Sequence, residues 1–231
     1  QDGDHFGNEL VNLVRVAEHI TSFADSERVM VLGQRRSRHR PMGLLRGEME
    51  ELADRVLLDA LQYHASVTGR PLRLEYALLM DEFPDFHSGF KVFDRTTAEA
   101  IFLSEPAMAG ANEICYYRHG VESVLTVEAL EAGAYLGTAT RSTMNEQPIT
   151  TFGLFNRIQL VADKMIWPCL RLEVPPNFVQ QWLSNHIPRL LLSTLAPDGG
   201  RELEEIRRAV MAGIGVPLGE DEPDLRQPMF V

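Results

Sequence analysis

Residues 28–80 read as strand, helix, strand, and no other feature of the chain restricts its fold as much. "RVMVLG" (28–33) is a short apolar run closed by Gly33. Residues 42–69 then place Leu45, Met49, Leu52, Val56 and Ala60 on one helical stripe. "PLRLEYALLM" (71–80) alternates Leu72, Leu74, Tyr76, Leu78 and Met80 and becomes continuously apolar, the pattern of a strand covered on both faces. A helix between two such strands predicts a parallel crossover, and the chain must then build layers of helix on sheet. At 45% apolar and 24% charged residues, 231 residues are enough to bury a full core.

The flanking segments extend this scheme. Leu10, Leu13, Val14, Ala17 and Ile20 mark an amphipathic helix over 7–22. "FKVFD" (90–94) and "EAIFLS" (99–104), separated by the turn-like "RTTA", predict an antiparallel hairpin, so the sheet is mixed. "EICYY" (113–117) and "VESVLTV" (121–127) read as further strands around Arg118-His119-Gly120, and "VEALEAGAYLG" (127–137) as a short helix. Beyond a polar loop from Thr138 the chain turns helical, with Pro175-Pro176-Asn177 as a helix entry and Leu203, Ile206 and Val210 as a later stripe. The expected fold is α/β: a mixed, mainly buried sheet with a βαβ crossover and an antiparallel hairpin, followed by a helical C-terminal segment. Its parts are an α/β domain with an N-terminal helix (1–138), a mostly helical segment packed on it (139–218), and a Pro-rich acidic tail (219–231). The tail ends apolar in "PMFV", which suits an arm docked on a protein partner or a second copy.

A net charge of −11 works against polyanions and anionic membranes. No run approaches the roughly 18 apolar residues of a spanning helix, and the first residues lack the basic flank and apolar core of a signal peptide. A cytoplasmic protein is expected. The chain opens on Gln1, which leaves an upstream segment open, and nucleic-acid binding is expected only with one. Cys115 and Cys169 stand far apart in apolar settings and read as buried free thiols. The histidines show no metal-binding spacing, so neither a metal nor a cofactor is predicted. Phe152, Phe155, Trp167, Phe178 and Trp182 enrich the C-terminal segment in aromatic rings, for core packing, a hydrophobic pocket or a subunit interface.

Parallel strands end at one sheet edge, where open α/β sheets take their ligands. Two loops converge there. One carries Arg35, Arg36, Arg38, His39 and Arg40; the other carries Asp81, Glu82 and Asp85. The arginines form either a site for a small anionic ligand, phosphate above all, or a solvated loop paired with those acids. Neither a dinucleotide fingerprint nor a phosphate loop follows Gly33.

The stretch "HSGFKVFD" spaces His87 and Asp94 seven residues apart. It resembles the His-x-Lys-x4-Asp motif of the phospholipase D-like superfamily, with Gly89 where that family has lysine, and the resemblance covers residues 28–105. It implies a nucleophilic His87, an assisting Asp94, and Ser104 as the small hydroxyl residue after the hairpin. Lys91, two residues past Gly89, shares a strand face with His87 and Gly89 and is in reach of the same pocket. The family uses two copies of the motif, because one histidine attacks phosphorus while the other protonates the leaving oxygen. This chain has one copy. The resemblance therefore implies a sensor or interaction domain ahead of a hydrolase, and whether the protein is an enzyme stays open. The leading expectation is a regulatory or binding module for a small anionic ligand at this edge. A phosphodiester-cleaving hydrolase and a structural subunit of a larger assembly are the alternatives.

Overall fold

Six consecutive buried residues, Val29–Gln34, form strand β1 at the centre of the sheet. The computed structural model describes residues 7–36, 39–77, 83–141 and 156–222, without the side chains of 39–43 and 193–194. Within these, α1 spans Gly7–Ala24, α2 His39–Thr68, β2 Lys91–Phe93, α3 Arg95–Phe102, α4 Val121–Glu131 and β3 Tyr135–Thr140. A π-helical turn, Cys115–His119, precedes α4. The C-terminal helices are α5 (Arg157–Arg171), α6 (Pro176–His186), α7 (Leu192–Leu195) and α8 (Gly199–Gly213).

The sheet order is β2-β1-β3. β3 lies parallel to β1, from Val29↔Tyr135 to Gln34↔Thr140, and β2 antiparallel, with Leu32 opposite Lys91. The fold is thus mixed α/β with a helical C-terminal segment, as the sequence predicts. The elements differ in detail. The parallel partner of β1 is β3, not residues 72–80. Residues 73–76 instead run along the far side of β3, where Leu136 N donates to Arg73 O and Tyr76 bridges Gly137, while 78–80 fall outside the described residues.

Four more expectations are corrected. The 99–104 strand is part of α3, because Asp94 caps that helix: its carboxylate accepts from Thr97 N, and "RTTA" becomes the first helical turn. Residues 121–127 are helical as well. α4 buries Ser123, Val124, Thr126, Val127, Ala129 and Leu130, so it is buried on most sides and lacks the one-sided apolar stripe that marks a helix in sequence. "EICYY" enters the π-helical turn. The helix expected over 127–137 ends at Glu131, with Gly133 at φ 84° behind it, and 135–140 becomes β3.

Alternation along β1 divides the interior in two. Val29 and Val31 face Leu13 and Ile20 of α1. Met30 and Leu32 face the opposite side and join α2, α4, α5, α6 and α8 in one continuous cluster reaching to Ile214. The C-terminal helices therefore share the main core with the sheet. The stripe Leu203, Ile206, Val210 is fully buried in it, and Cys115 and Cys169 are free and buried. Among the described residues no helix is long and apolar enough to cross a membrane.

Candidate functional site

β1 and β3 end together at Gln34 and Thr140, and Arg141 N closes the pair by donating to Gln34 O at 2.8 Å. β2 begins at the same edge. Gly33 is required there: a Cβ would meet the Phe90 ring at 2.6 Å and Arg141 at 3.2 Å. This glycine makes room for packing and offers no open cradle for a phosphate.

Just past β1, Arg35 turns inward. Its Nε and Nη2 grip Asp85 at 2.6 and 2.5 Å, and Nη2 also reaches Glu50 of α2 at 2.7 Å. Asp85 is wholly buried; it also accepts from Arg35 N, and its own N–H donates to Gln34 Oε1. Glu50 collects Arg46 at 3.2 Å and Lys164 of α5 at 3.7 Å. Burial, the largest single influence on Glu50, would raise its pKa, but Lys164, Arg35 and Arg46 together hold it well below the carboxylate range. Burial likewise opposes charge on Arg35, yet Asp85 and Glu50 keep its pKa above the ordinary value.

Beside this network lies a second buried unit. His87 Nδ1 donates to Asp54 Oδ1 at 2.7 Å, and the His87 backbone N–H donates to the same oxygen at 3.1 Å. Both side chains have no solvent exposure, and His87 Nε2 is buried with no hydrogen-bond partner among the described residues. A carboxylate that fixes the imidazole while leaving Nε2 unengaged is the orienting half of an acid–base relay. Lys91 is half-buried on β2; its ammonium donates to Phe86 O at 2.9 Å and to Ser88 O. Burial pushes it down to about 8, against the pull of Glu122, Asp85 and Asp54.

Of the residues singled out in sequence, Arg35 and Asp85 therefore meet, and His87 and Lys91 lie in the same charged neighbourhood. Arg36 is exposed. The side chains of Arg38 and Arg40, and residues Asp81 and Glu82, fall outside the described residues. Asp94 does not pair with His87. Its carboxylate serves Thr97 N, Thr97 Oγ1 and Val29 N, a capping role that fixes α3 to β1. Ser104 is exposed at the end of α3, with its hydroxyl turned back to Ala100 O. Sequence reading missed Glu50 and Asp54 of α2. The available signal was two carboxylates four residues apart, interleaved with the stripe of Met49, Leu52 and Val56.

A further histidine–carboxylate pair lies behind the π-helical turn, where His119 Nδ1 stands 2.7 Å from Asp163 Oδ2 and Gln159 holds the other oxygen at 2.7 Å. Cys115 donates to Asp163 O, and burial pushes its thiol up to about 12, which removes it as a nucleophile. No family model, curated protein or solved structure matches the chain.

Proposed function

We propose that the protein is a cytoplasmic regulatory module that binds a small anionic ligand at the carboxyl edge of β1 and β3. The observation that supports this reading is the anchoring of Arg35. A guanidinium clamped by Asp85 and Glu50 is already neutralised, so it cannot be the residue that meets an anion. It fixes the start of the segment that carries Arg36, Arg38 and Arg40 into α2. Those three are then the ligand's partners, offered from a segment with a rigid root. The net charge of −11 favours a compact ligand over a polyanion. A thermal-shift panel of nucleotides, phosphosugars and acyl-CoA esters tests the proposal: binding to the folded state raises the melting temperature by mass action. Loss of that rise in Arg36→Ala with Arg38→Ala supports it; a blank panel counts against it.

The unpartnered Nε2 of His87 favours one other reading, a phosphodiester hydrolase in which Asp54 orients His87. It rests on the resemblance to the phospholipase D-like superfamily for His87, and it assigns Asp54, not Asp94, as the carboxylate partner. The ring has no solvent exposure, so the segment holding it must open for substrate to reach Nε2. Turnover of bis-p-nitrophenyl phosphate that disappears in His87→Ala would establish this reading, and no turnover would remove it.

A further inference from the structure

Helix α6 carries two parallel ridges. Asn177, Gln181 and Asn185 form one; Phe178, Trp182 and His186 form the other, and with Tyr63 of α2 they line a groove of about 560 Å³, a volume that suits a small molecule. The rings are fixed in place. Trp182 is buried, stacks on His186 at 3.9 Å and 9°, and donates from Nε1 to Asp59. His186 Nδ1 donates to Trp182 O at 2.8 Å, which leaves Nε2 of the neutral ring as an acceptor. Tyr63 and Phe178, both half-buried, meet at 5.1 Å with their planes 41° apart and form a bent apolar wall.

The amide ridge is only partly engaged. Gln181 Nε2 donates to Asn185 Oδ1 at 3.1 Å, and Asn177 Oδ1 accepts from Phe178 N at 3.0 Å. Asn177 Nδ2, Gln181 Oε1 and Asn185 Nδ2 keep no partner among the described residues, and they follow one another as donor, acceptor, donor along about 12 Å of helix.

This lining selects a ligand class by what it lacks. Among the described residues it has no lysine, arginine or carboxylate, so neither a phosphate nor an ammonium group would meet an opposite charge. The ring best suited to hold a cation by its face, Trp182, is already covered by His186. A hydrocarbon ligand would bury the amides and leave their polar atoms unpaired, at a cost for each. A planar heterocycle would find no slot between parallel rings, because Tyr63 and Phe178 are tilted against each other. A sugar ring meets all of these conditions. Its chair carries C–H bonds on one face, which fit a bent apolar wall. Its hydroxyls each both donate and accept, so they pair with an amide row of alternating sense.

We propose that the α6 groove is a carbohydrate site, which takes an uncharged disaccharide with a pyranose face against Tyr63 and Phe178 and hydroxyls on Asn177, Gln181 and Asn185. No arginine takes part, so this site stands or falls apart from the proposed anion site. Neutral hydrogen bonds in a groove open to water give affinity in about the millimolar range. The test titrates maltose, cellobiose and N,N′-diacetylchitobiose into the protein, each to about 50 mM, and follows the side-chain amide resonances of Asn177, Gln181 and Asn185. A saturable shift of all three amides is expected with at least one of these sugars, and none with sorbitol, which has the hydroxyls without a ring face. Gln181→Ala with Asn185→Ala, read at Asn177, should weaken that binding about tenfold or more and leave the melting temperature unchanged. No shift with any of the three sugars, an equal shift with sorbitol, or equal affinity in the double variant overturns the proposal. Shifts produced by acetyl-trialanine amide and not by the sugars overturn it as well, and assign the groove to peptide.

Discussion

The sheet edge and the α6 groove both gather polar side chains, and they use them in opposite ways. At the edge, Arg35, Arg46 and Lys164 are drawn inward onto Glu50 and Asp85, and Asp54 takes up His87. Charge there is spent on the protein itself. On α6 the groove's lining has, among the described residues, no carboxylate, lysine or arginine, and three amide groups keep hydrogen-bonding capacity beside ordered rings. A dense run of charge in sequence therefore locates a structural anchor as readily as a binding surface, and the capacity to bind lies with what the anchor leaves over.

Breaking one partner of the anchor should have the largest effect. Asp85→Ala leaves the largely buried Arg35 with only its share of Glu50, removes the acceptor of the Arg35 N–H, and is expected to cost about 3–5 kcal/mol in urea unfolding. The paired change Arg35→Met with Asp85→Leu should recover most of that loss, since two apolar groups need no compensation. If Asp85→Ala cost less than about 1 kcal/mol, the pair would behave as an exposed one and the contrast with α6 would collapse. Asp54→Asn, which weakens the acceptor of two hydrogen bonds without changing shape, should cost about 1–3 kcal/mol.

Acid should loosen the same anchor. Glu50 titrates well below its ordinary value of 4.5 in the folded protein, so its stabilising contribution is complete above that value and is lost as pH falls through the folded pKa. Stability of the unsubstituted protein should therefore drop more steeply below pH 4.5 than that of Glu50→Gln. Lys91 has the same sign in a more alkaline window, because its folded pKa is lowered as well. Between about 8 and 10.5 the unfolded chain keeps a proton that the folded chain has released, so Lys91 makes stability rise with pH. Relative to Lys91→Met, the unsubstituted protein should gain stability across that window. The buried thiols, pushed up to about 12, act equally in both proteins and cancel.

The smallest effect is expected on α6. Gln181→Ala should change stability by no more than about 0.5 kcal/mol, as for surface positions without a structural role.

The same contrast explains what could be read from sequence. The α2 stripe and β1 were legible because one face of each is packed by apolar residues at the right period, and Phe178 and Trp182 were visible as one face of α6. The shared edge is legible as well: Tyr76 bridges β3 in parallel and β3 is parallel to β1, so only the neighbour that β1 takes escapes a reading of periodicity. α3 and α4 were misread for local reasons. A capping aspartate followed by Arg-Thr-Thr looks like a turn, and a helix buried on most sides loses its 3.6-residue signature. Glu50 and Asp54 were hidden by the expectation that carboxylates in an amphipathic helix face water.

The central claim is that Arg35 roots the segment while its neighbours meet the ligand. It is tested most directly by calorimetric titration of inorganic pyrophosphate into the unsubstituted protein and into Arg36→Ala with Arg38→Ala. The account predicts binding to the first and its loss in the second, with unchanged unfolding in the absence of ligand. Equal binding by both proteins, or a collapse of stability in the double variant, would contradict it.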